Sequence, residues 1–173
     1  MEETKSYSRS YLIEALFLLM QKTSFDDITV GDLCLKAGVS RVTYYRNFET
    51  KHDVIRAFFR EWGKNFSSEI RKVQRDLTAE KVARLAFEQF KLEKDKMKLL
   101  RKNHLIYLYL ESLTNGFRDL FLQLGKLRVE QSYILSGGLF NFSVWWLEED
   151  CKTPVDDMVK MFLDCFRSIG QGS

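Results

Sequence analysis

The sequence predicts an all-α protein in which three N-terminal helices are joined by a long helix to a helical C-terminal region. Apolar residues recur at helical spacing along the chain, and capping signatures precede several of the apolar runs. The 173 residues include nine Gly and a single Pro, a composition that leaves room for long uninterrupted helices. The predicted domains are residues 1–50 and residues 51–173.

The stretch from Thr29 to Lys51 carries the most specific local pattern of the chain. Thr29 and Asp32 have the spacing of a capping box, in which each side chain satisfies a backbone N–H at a helix start. Apolar residues then follow at helical spacing, namely Val30, Leu33, Cys34 and Ala37. Gly38 suits the left-handed residue that ends a helix, and Ser40 suits the cap of the next one. This order of helix, short turn and helix is the helix-turn-helix pattern.

The second helix of this pattern is predicted to have a buried side and a bare side. At about 100° per residue, Tyr44 and Phe48 fall together and can pack on the preceding helices. The side predicted to read DNA bases carries Arg41, Val42, Tyr45 and Arg46. Arg can donate two hydrogen bonds to a guanine edge, and an apolar group can touch a thymine methyl. The side chains predicted to reach phosphate oxygens are those of Thr43, Tyr45, Asn47 and Lys51.

These residues carry a resemblance to a known family. Ala15, the run ITVGDLCLKAGVSRVTYYRNF and Lys51 resemble the DNA-binding domain of the tetracycline-repressor (TetR) family. The resemblance covers about the first third of the chain and implies the same base-facing and phosphate-facing residues. It also implies that Thr29, Gly31 and Ser40 lie close to the DNA backbone.

Two residues depart from the family pattern, since Ser24 stands where Gly is usual and Asn47 stands where His is common. A shorter run, GGLF…WWLEE…TPVDDM, resembles the C-terminal half of a TetR branch common in Gram-positive bacteria. The resemblance implies a homodimeric transcriptional regulator that binds a palindromic operator in double-stranded DNA. It further implies a repressor that a small-molecule effector releases from the operator.

Helices before and after the motif complete the predicted fold. A first helix is predicted from Ser6 to about Lys22, and a capping box of Thr50 and Asp53 opens a long helix that runs to about Arg75. No linker rich in Gly, Ser or Pro follows the helix-turn-helix, so the long helix is the predicted connection between the DNA-binding domain (residues 1–50) and the regulatory and dimerisation domain (residues 51–173).

The regulatory domain is predicted to consist of further helices. One begins after Thr78 and leads into the charged run KLEKDKMKLLRK, which is interpreted as a solvated helix face. The next runs from His104 to about Leu124 and is predicted to be interrupted at Gly116. Aromatic residues of this region could line an effector pocket, although a packed core is an equally good interpretation of them: Phe87, Phe90, Tyr107, Tyr109, Phe117 and Phe121.

The last two predicted helices carry an apolar surface wider than one neighbouring helix can cover. Gly137 and Gly138 are each unfavourable inside a helix by about 1 kcal/mol relative to Ala, so another helix is expected to approach closely there. The residues predicted at a homodimer interface are Gly138, Leu139, Phe140, Trp145, Trp146, Met158, Met161, Phe162 and Cys165. Such a dimer would present two recognition helices to half-sites about one DNA turn, ~34–36 Å, apart.

The charge distribution leaves one alternative open. Residues 1–63 contain nine Lys or Arg and nine Asp or Glu, so the predicted DNA-binding part is neutral overall. Nonspecific DNA affinity grows with the number of phosphates that are neutralised, and neutrality does not favour it. The alternative is a helical protein-interaction module of the same fold without operator binding.

Several other classes of protein are not expected from the sequence. The chain has no Gly-rich phosphate loop, no metal-ligand spacing and no nucleophile–His–acid set, so an enzyme, a metal site and a cofactor are not expected. The polar start and the lack of an apolar run near ~18 residues predict neither secretion nor a membrane span. The three Cys form no CxxC pair, which fits a cytoplasmic protein.

Overall fold

The structure, a computed structural model, describes residues 2–125 and 128–171. Within that part of the chain the regular structure consists of nine α-helices and one 3-10 turn (Gln74–Asp76), without a β-strand. The helices are α1 (Glu2–Met20), α2 (Val30–Ala37), α3 (Arg41–Tyr45), α4 (Lys51–Lys72), α5 (Ala79–Leu92), α6 (Lys94–Lys102), α7 (Tyr107–Gln123), α8 (Val129–Glu148) and α9 (Val155–Gln171). The predicted all-α fold class is confirmed.

The chain divides into two compact units. The first unit comprises residues 1–61 and 99–108, and the second comprises residues 62–98 and 109–173. The boundaries fall inside α4, α6 and α7, so each of these three helices contributes residues to both units. The predicted functional division at residue 50 remains a prediction.

The core of the first unit is built from the apolar stripe of α1 and the residues that pack on it. The buried residues of α1 are Leu12, Ile13, Ala15, Leu16, Phe17 and Met20. Phe25 and Ile28, in the connection between α1 and α2, are also buried, as is Leu33 of α2. Full burial of such a side chain contributes roughly 1.5–3 kcal/mol, so this stripe fixes the short helices that could not persist alone.

The start of α4 shows the predicted second capping box. The Thr50 N–H donates to Asp53 Oδ2 over 2.8 Å, and the Asp53 N–H donates to Thr50 Oγ1 over 3.3 Å. Burial alone would raise the pKa of Asp53, but hydrogen bonds from Thr50 and Arg56 outweigh it and lower that pKa. These bonds satisfy N–H groups that a helix start otherwise leaves without partners.

The second unit has an aromatic core. The Phe87 ring lies edge-on to Trp146 at 5.8 Å and to Phe162 at 5.7 Å, and Phe90 stacks on Trp146 at 6.4 Å. Trp146 is fully buried, and its Nε1–H donates to the carbonyl of Thr153 over 3.0 Å. A buried indole N–H needs such a partner, and this bond also fixes the turn between α8 and α9.

The helices differ from the predictions at some of their ends, since α1 begins at Glu2 and α4 ends at Lys72, and in two further places. The helix α7 runs through Gly116 without a break, so the predicted interruption there is wrong. The charged run is divided at Glu93, where α5 ends and α6 begins. Gly116 lies in an exposed part of α7, and the hydrogen bonds of a long helix absorb a single Gly at a cost of about 1 kcal/mol.

The turn between α8 and α9 places two non-glycine residues in the left-handed region. Asp150 has a φ of 59° and Cys151 has a φ of 53°. Asp150 Oδ1 accepts from Lys94 Nζ at 3.1 Å and from Lys98 Nζ at 2.5 Å. The ammonium groups of Lys98 and Lys94 hold the pKa of Asp150 at about 2.

None of the helices in the described ranges is long and apolar enough to cross a membrane.

Candidate nucleic-acid interface

The helix α2 begins with the capping box that the sequence predicts. The Asp32 N–H donates to Thr29 Oγ1 over 3.1 Å, and the Thr29 N–H donates to Asp32 Oδ2 over 3.0 Å. The Thr29 hydroxyl and the Thr29 N–H lower the pKa of Asp32, which therefore stays ionised at the positive end of the helix dipole. Gly38 ends the helix with a φ of 65°, a conformation that suits Gly because it has no Cβ.

The helix α3 follows after a connection of three residues, 38–40, and is only five residues long. Ser40 caps it, because the Thr43 N–H donates to Ser40 Oγ over 3.1 Å. Tyr44 points into the core and is fully buried, and its ring lies 6.0 Å from that of Phe48. Burial raises the pKa of Tyr44 to about 12, so its phenol stays neutral. Tyr44 anchors α3 in a fixed rotation about its own axis.

The opposite side of α3 is largely exposed to solvent. Val42 and Tyr45 are each 61% exposed, and Arg41 and Arg46 are also exposed. Neither guanidinium has an ion-pair partner within the described part of the chain. No acidic residue occurs between Leu33 and Phe48, so the charge of this surface is positive. The surface of Arg41, Val42, Tyr45 and Arg46 is called the α3 surface below.

Arg41 lies across the beginning of α2. A Cβ added to Gly31 would lie 3.0 Å from Arg41 Nη2 and 3.4 Å from Thr29 Oγ1. The absence of a side chain at Gly31 therefore leaves the space that the guanidinium occupies. Arg41 reaches back along the start of α2, whereas Tyr45 and Arg46 continue the surface toward the end of α3.

Two of the side chains predicted at phosphates already have partners in their own helix. Thr43 Oγ1 lies 3.0 Å from Ser40 Oγ, which fixes both hydroxyl groups. Asn47 Nδ2 donates to the carbonyl of Thr43 over 2.8 Å, while Asn47 Oδ1 is buried without a partner in the described residues. The amide nitrogen of Asn47 thus continues the hydrogen bonding of α3 at its end. The predicted phosphate contacts of Thr43 and Asn47 remain predictions.

Lys51 has a role that the sequence did not reveal. Its Nζ donates to the carbonyls of Phe25 at 2.6 Å, of Asp26 at 3.2 Å and of Ile28 at 2.5 Å. Burial lowers the pKa of Lys51, while the carboxylates of Asp26 and Asp27 act in the opposite direction. All three N–H bonds are used, so a phosphate contact would require Lys51 to release one carbonyl. No local signal predicts this contact, because the carbonyls lie more than 20 residues earlier in the chain.

The fold of this chain is similar to that of known proteins, although its sequence matches none closely. No family model matches the chain, and no curated protein matches it. It is similar to the crystal structure of a TetR transcriptional regulator from Streptococcus agalactiae, with 19% identity, a TM-score of 0.64, and coverage of 95% of this chain and 96% of that chain. This is the TetR fold.

Two further structures agree with this result. The fatty acid degradation regulator FadR from Bacillus halodurans is 19% identical, with a TM-score of 0.58 and coverage of 88% of this chain and 94% of that chain. FadR from Bacillus subtilis, solved in complex with stearoyl-CoA, is 18% identical, with a TM-score of 0.56 and coverage of 90% and 95%. The predicted TetR resemblance is confirmed at the level of the fold.

In this TetR fold, most of the predicted effector-pocket residues pack in the core of the second unit. Five of the rings are buried: Phe87, Phe90, Tyr109, Phe117 and Phe121. Tyr109 stacks on Trp62 at 5.2 Å, and burial raises the pKa of its phenol. Tyr107 differs, since it is 49% exposed and belongs to the first unit. The two cavities described in the structure are lined by other residues, along α5 and α9.

The residues predicted at the dimer interface divide into two groups. Leu139, Trp146, Met158 and Phe162 are buried within the single chain, so they are core residues of the TetR fold and are not available to a second copy. Trp145 is 42% exposed and Cys165 is exposed, while Gly138, Phe140 and Met161 are partly exposed. The sequence pattern did not separate these groups, because all of them are apolar residues at helical spacing.

The outer side of α8 contains exposed apolar residues that the prediction did not include. They are Val129, Tyr133 and Ile134, with exposures of 45%, 51% and 61%. Nothing lies within 4 Å of a Cβ added to Gly137. Together with Trp145 these residues form the α8 surface.

Within the described residues, no three His, Cys, Asp or Glu side chains lie together in a group that could hold a metal ion.

Proposed function

We propose that this chain is a sequence-specific DNA-binding transcriptional regulator. In this proposal it acts as a homodimeric repressor on a two-fold symmetric operator, and a small-molecule effector releases it. The observation that carries the proposal is the α3 surface, on which two unpaired Arg and an exposed Tyr and Val stand opposite the buried Tyr44.

The composition of the α3 surface fits the major groove of B-form DNA. A guanidinium can donate two hydrogen bonds to the O6 and N7 atoms of guanine, and Val42 can contact a thymine methyl group. Exposure of Val42 and Tyr45 to water is unfavourable in the free protein, and a nucleic-acid partner would relieve it. The first N–H groups of α2 are suited to the phosphates beside that groove, whereas the Thr29 hydroxyl already donates to Asp32 Oδ2.

Selection from a random pool of duplex DNA tests this function. We expect enrichment of a symmetric motif whose half-sites are about one helical turn apart, and binding that weakens with salt. Arg46→Ala should then lower affinity for the selected DNA about 5- to 150-fold, because one bidentate base contact is worth about 1–3 kcal/mol. Arg60→Ala, which removes an exposed Arg from α4, should change it less than about 2-fold and is the matched control. Equal effects of the two substitutions would overturn the assignment of the α3 surface.

We place the dimer contact on the α8 surface. Val129, Tyr133, Ile134 and Trp145 expose apolar area along one helix, and Gly137 leaves room for a second helix to approach its backbone. A two-fold axis at this surface would bring two copies of α8 together, so that the same surface is buried on both copies. Sedimentation equilibrium of Ile134→Glu should give a monomer, whereas Tyr107→Glu, at a comparable exposure in α7, should remain dimeric.

The effector part of the proposal is supported by similarity alone. The neighbour from Bacillus subtilis was solved with stearoyl-CoA, which makes long-chain acyl-CoA thioesters the first compounds to test. Release of fluorescent operator DNA by stearoyl-CoA, with free CoA and free stearate as controls, would support an acyl-CoA effector. An unchanged anisotropy at saturating stearoyl-CoA would exclude that class.

One observation favours a second function, a protein-interaction module that no longer binds an operator. Residues 1–63 have equal numbers of basic and acidic residues, so their summed charge provides little general attraction for DNA. The same selection experiment separates the two functions. A protein-interaction module would enrich no motif at low salt, and a regulator would.

A further inference from the structure

The connection between α1 and α2 is held by a residue that lies far along the chain. The Phe25 N–H donates to Asn103 Oδ1 over 2.8 Å, across a separation of 78 residues. Asn103 stands just after the last residue of α6, within the segment 99–108 that belongs to the first unit. A segment outside the predicted DNA-binding domain is therefore part of the compact unit that contains the helix-turn-helix.

The orientation of the Asn103 side chain is determined by the chemistry of its two partners. Its Nδ2 donates to the carbonyl of Leu99 over 2.8 Å, and its Oδ1 accepts from Phe25 N–H. A carbonyl can only accept and an N–H can only donate, so the amide cannot be turned over without losing both bonds.

The end of α6 is rigid enough to hold this amide in place. His104 has a φ of 59°, and the Leu105 N–H donates to the carbonyl of Leu100 over 2.8 Å. This is the hydrogen bond of a Schellman motif, which closes a helix with a left-handed residue. Leu100 and Leu105 are buried, so the apolar contact that accompanies the motif is available as well.

Phe25, which donates the hydrogen bond to Asn103, makes several other contacts. Its carbonyl accepts from Lys51 Nζ at 2.6 Å, and the same ammonium lies 4.7 Å from the centre of its ring. The ring lies edge-on to His52 at 4.9 Å. Asn103 and Lys51 thus hold the two backbone groups of Phe25, one from the end of α6 and one from the start of α4.

The position of Phe25 bears on the helix-turn-helix because only three residues separate it from Thr29, the cap of α2. The Lys51 ammonium binds the carbonyls of Phe25, Asp26 and Ile28 together, so a shift of Phe25 displaces the segment that leads into the start of α2. The start of α2 and the α3 surface are linked by the short turn at Gly38 and by the contact between Arg41 and Gly31.

We propose that Asn103 is a positioning residue for operator binding, which fixes the start of α2 through the N–H of Phe25. This inference rests on the proposed function. Asn103 carries no charge and belongs to neither the α3 surface nor the predicted phosphate contacts, yet its replacement should change the affinity for DNA.

Two substitutions at one position separate positioning from stability. Asn103→Ala removes the acceptor for Phe25 N–H and the donor to Leu99. Asn103→Asp keeps the acceptor, loses the donor and puts a negative charge at the C-terminal end of a helix, where it is unfavourable. We expect Asn103→Ala to weaken operator binding about 3- to 10-fold, the range of one net hydrogen bond, while Asn103→Asp binds within about 2-fold of the parent chain.

The measurements use the full chain and the operator obtained by selection. A stoichiometric titration gives the fraction of each variant that can bind DNA, and the dissociation constants are corrected for that fraction. Thermal unfolding is recorded for each variant. If Asn103 acts by positioning, operator affinity is kept in Asn103→Asp, which retains the acceptor for Phe25 N–H, and falls in Asn103→Ala. This order holds although Asn103→Asp is expected to unfold at a lower temperature than Asn103→Ala. Positioning also predicts an unchanged slope of affinity against salt, since no phosphate contact is removed.

Native-state hydrogen exchange gives a test that does not depend on the folding of a variant. The Phe25 amide should be protected in the parent chain and in Asn103→Asp, and should exchange faster in Asn103→Ala. An unprotected Phe25 amide in the parent chain would overturn the inference. So would affinities that fall in parallel with the unfolding temperatures, or that match the parent chain in both variants. A parent chain that selects no DNA would instead refute the proposed function.

Discussion

Two pairs of adjacent aromatic residues show how the two units use their surfaces. In α3, Tyr44 is fully buried and Tyr45 is 61% exposed; in α8, Trp146 is fully buried and Trp145 is 42% exposed. Successive residues of a helix point about 100° apart, so each pair marks the edge between a covered side and an open side. The buried residue of each pair fixes the rotation of its helix about the helix axis. The exposed residue belongs to the solvent-facing surface of that helix.

The neighbours of the exposed rings differ between the pairs. Tyr45 stands among Arg41 and Arg46, whereas Trp145 lies on a helix that also exposes Ile134 and Val129. An aromatic group among unpaired guanidinium groups suits a polyanion, because it adds contact area without competing for charge. An aromatic group among aliphatic residues suits another protein surface. The difference supports DNA for the first surface and a second copy of the chain for the other.

The largest effect is expected from the buried tryptophan. Trp146→Ala should lower the free energy of unfolding by about 3–5 kcal/mol, because it removes the centre of the aromatic core and leaves a cavity. Trp145→Ala should lower it by under about 1 kcal/mol in a monomeric background such as Ile134→Glu, and should weaken dimerisation in the parent chain. Urea unfolding and sedimentation measure these effects. Equal losses of stability would contradict the division of α8 into a covered and an open side.

The tyrosine pair gives the corresponding test in the first unit. Tyr45→Ala should reduce operator affinity by more than about 5-fold, the loss of over about 1 kcal/mol expected for an aromatic residue central to an interface, while the free energy of unfolding changes by under about 1 kcal/mol. Tyr44→Phe is the matched substitution on the covered side. Its hydroxyl is buried without a partner in the described residues, so its removal should be neutral or stabilising and should leave affinity unchanged. Loss of affinity in Tyr44→Phe would mean that the two sides of α3 are assigned wrongly.

How far the sequence determines these features depends on how local their causes are. The caps at Thr29, Ser40 and Thr50 involve residues three positions apart, and each was predictable from spacing alone. The exposed side of α3 was also predictable, because Tyr44 and Phe48 lie four residues apart and mark the side that packs on the core. The confirmed parts of the fold are thus those in which neighbours in sequence are also partners in space.

Contacts between distant segments were not predictable in the same way. Lys51 has the spacing of a phosphate-binding residue, yet its ammonium is occupied by carbonyls of the α1–α2 connection. Asn103 gave no signal, since its partner lies 78 residues earlier. In α8 and α9 the apolar pattern gives the residues that avoid water, but it does not say whether the chain itself or a second copy covers them.

A smaller effect is expected from two helix caps, one in each unit. Thr29 Oγ1 accepts from Asp32 N–H at the start of α2, and Thr78 Oγ1 accepts from Lys81 N–H at the start of α5 over 3.2 Å. Replacement of either Thr by Ala should cost about 1 kcal/mol of unfolding free energy. Only Thr29→Ala should also weaken operator binding, because only α2 lies beside the α3 surface. A similar loss of affinity in Thr78→Ala would show that affinity merely follows stability.

The smallest effect concerns the acid dependence of the cap of α4. Asp53 has a pKa below its ordinary value of 3.8, since hydrogen bonds from Thr50 and Arg56 outweigh the opposing effect of burial. A lowered pKa in the folded state means that the stabilisation is complete above pH 3.8 and is lost as pH falls through the folded pKa. The difference in unfolding free energy between the parent chain and Asp53→Asn should therefore be constant above that pH and should shrink below it. Urea titrations at several pH values measure this difference, with Glu61→Gln, an exposed acid on the same helix, as the control. A difference that grows as the pH falls would show that the capping box does not favour the ionised carboxylate.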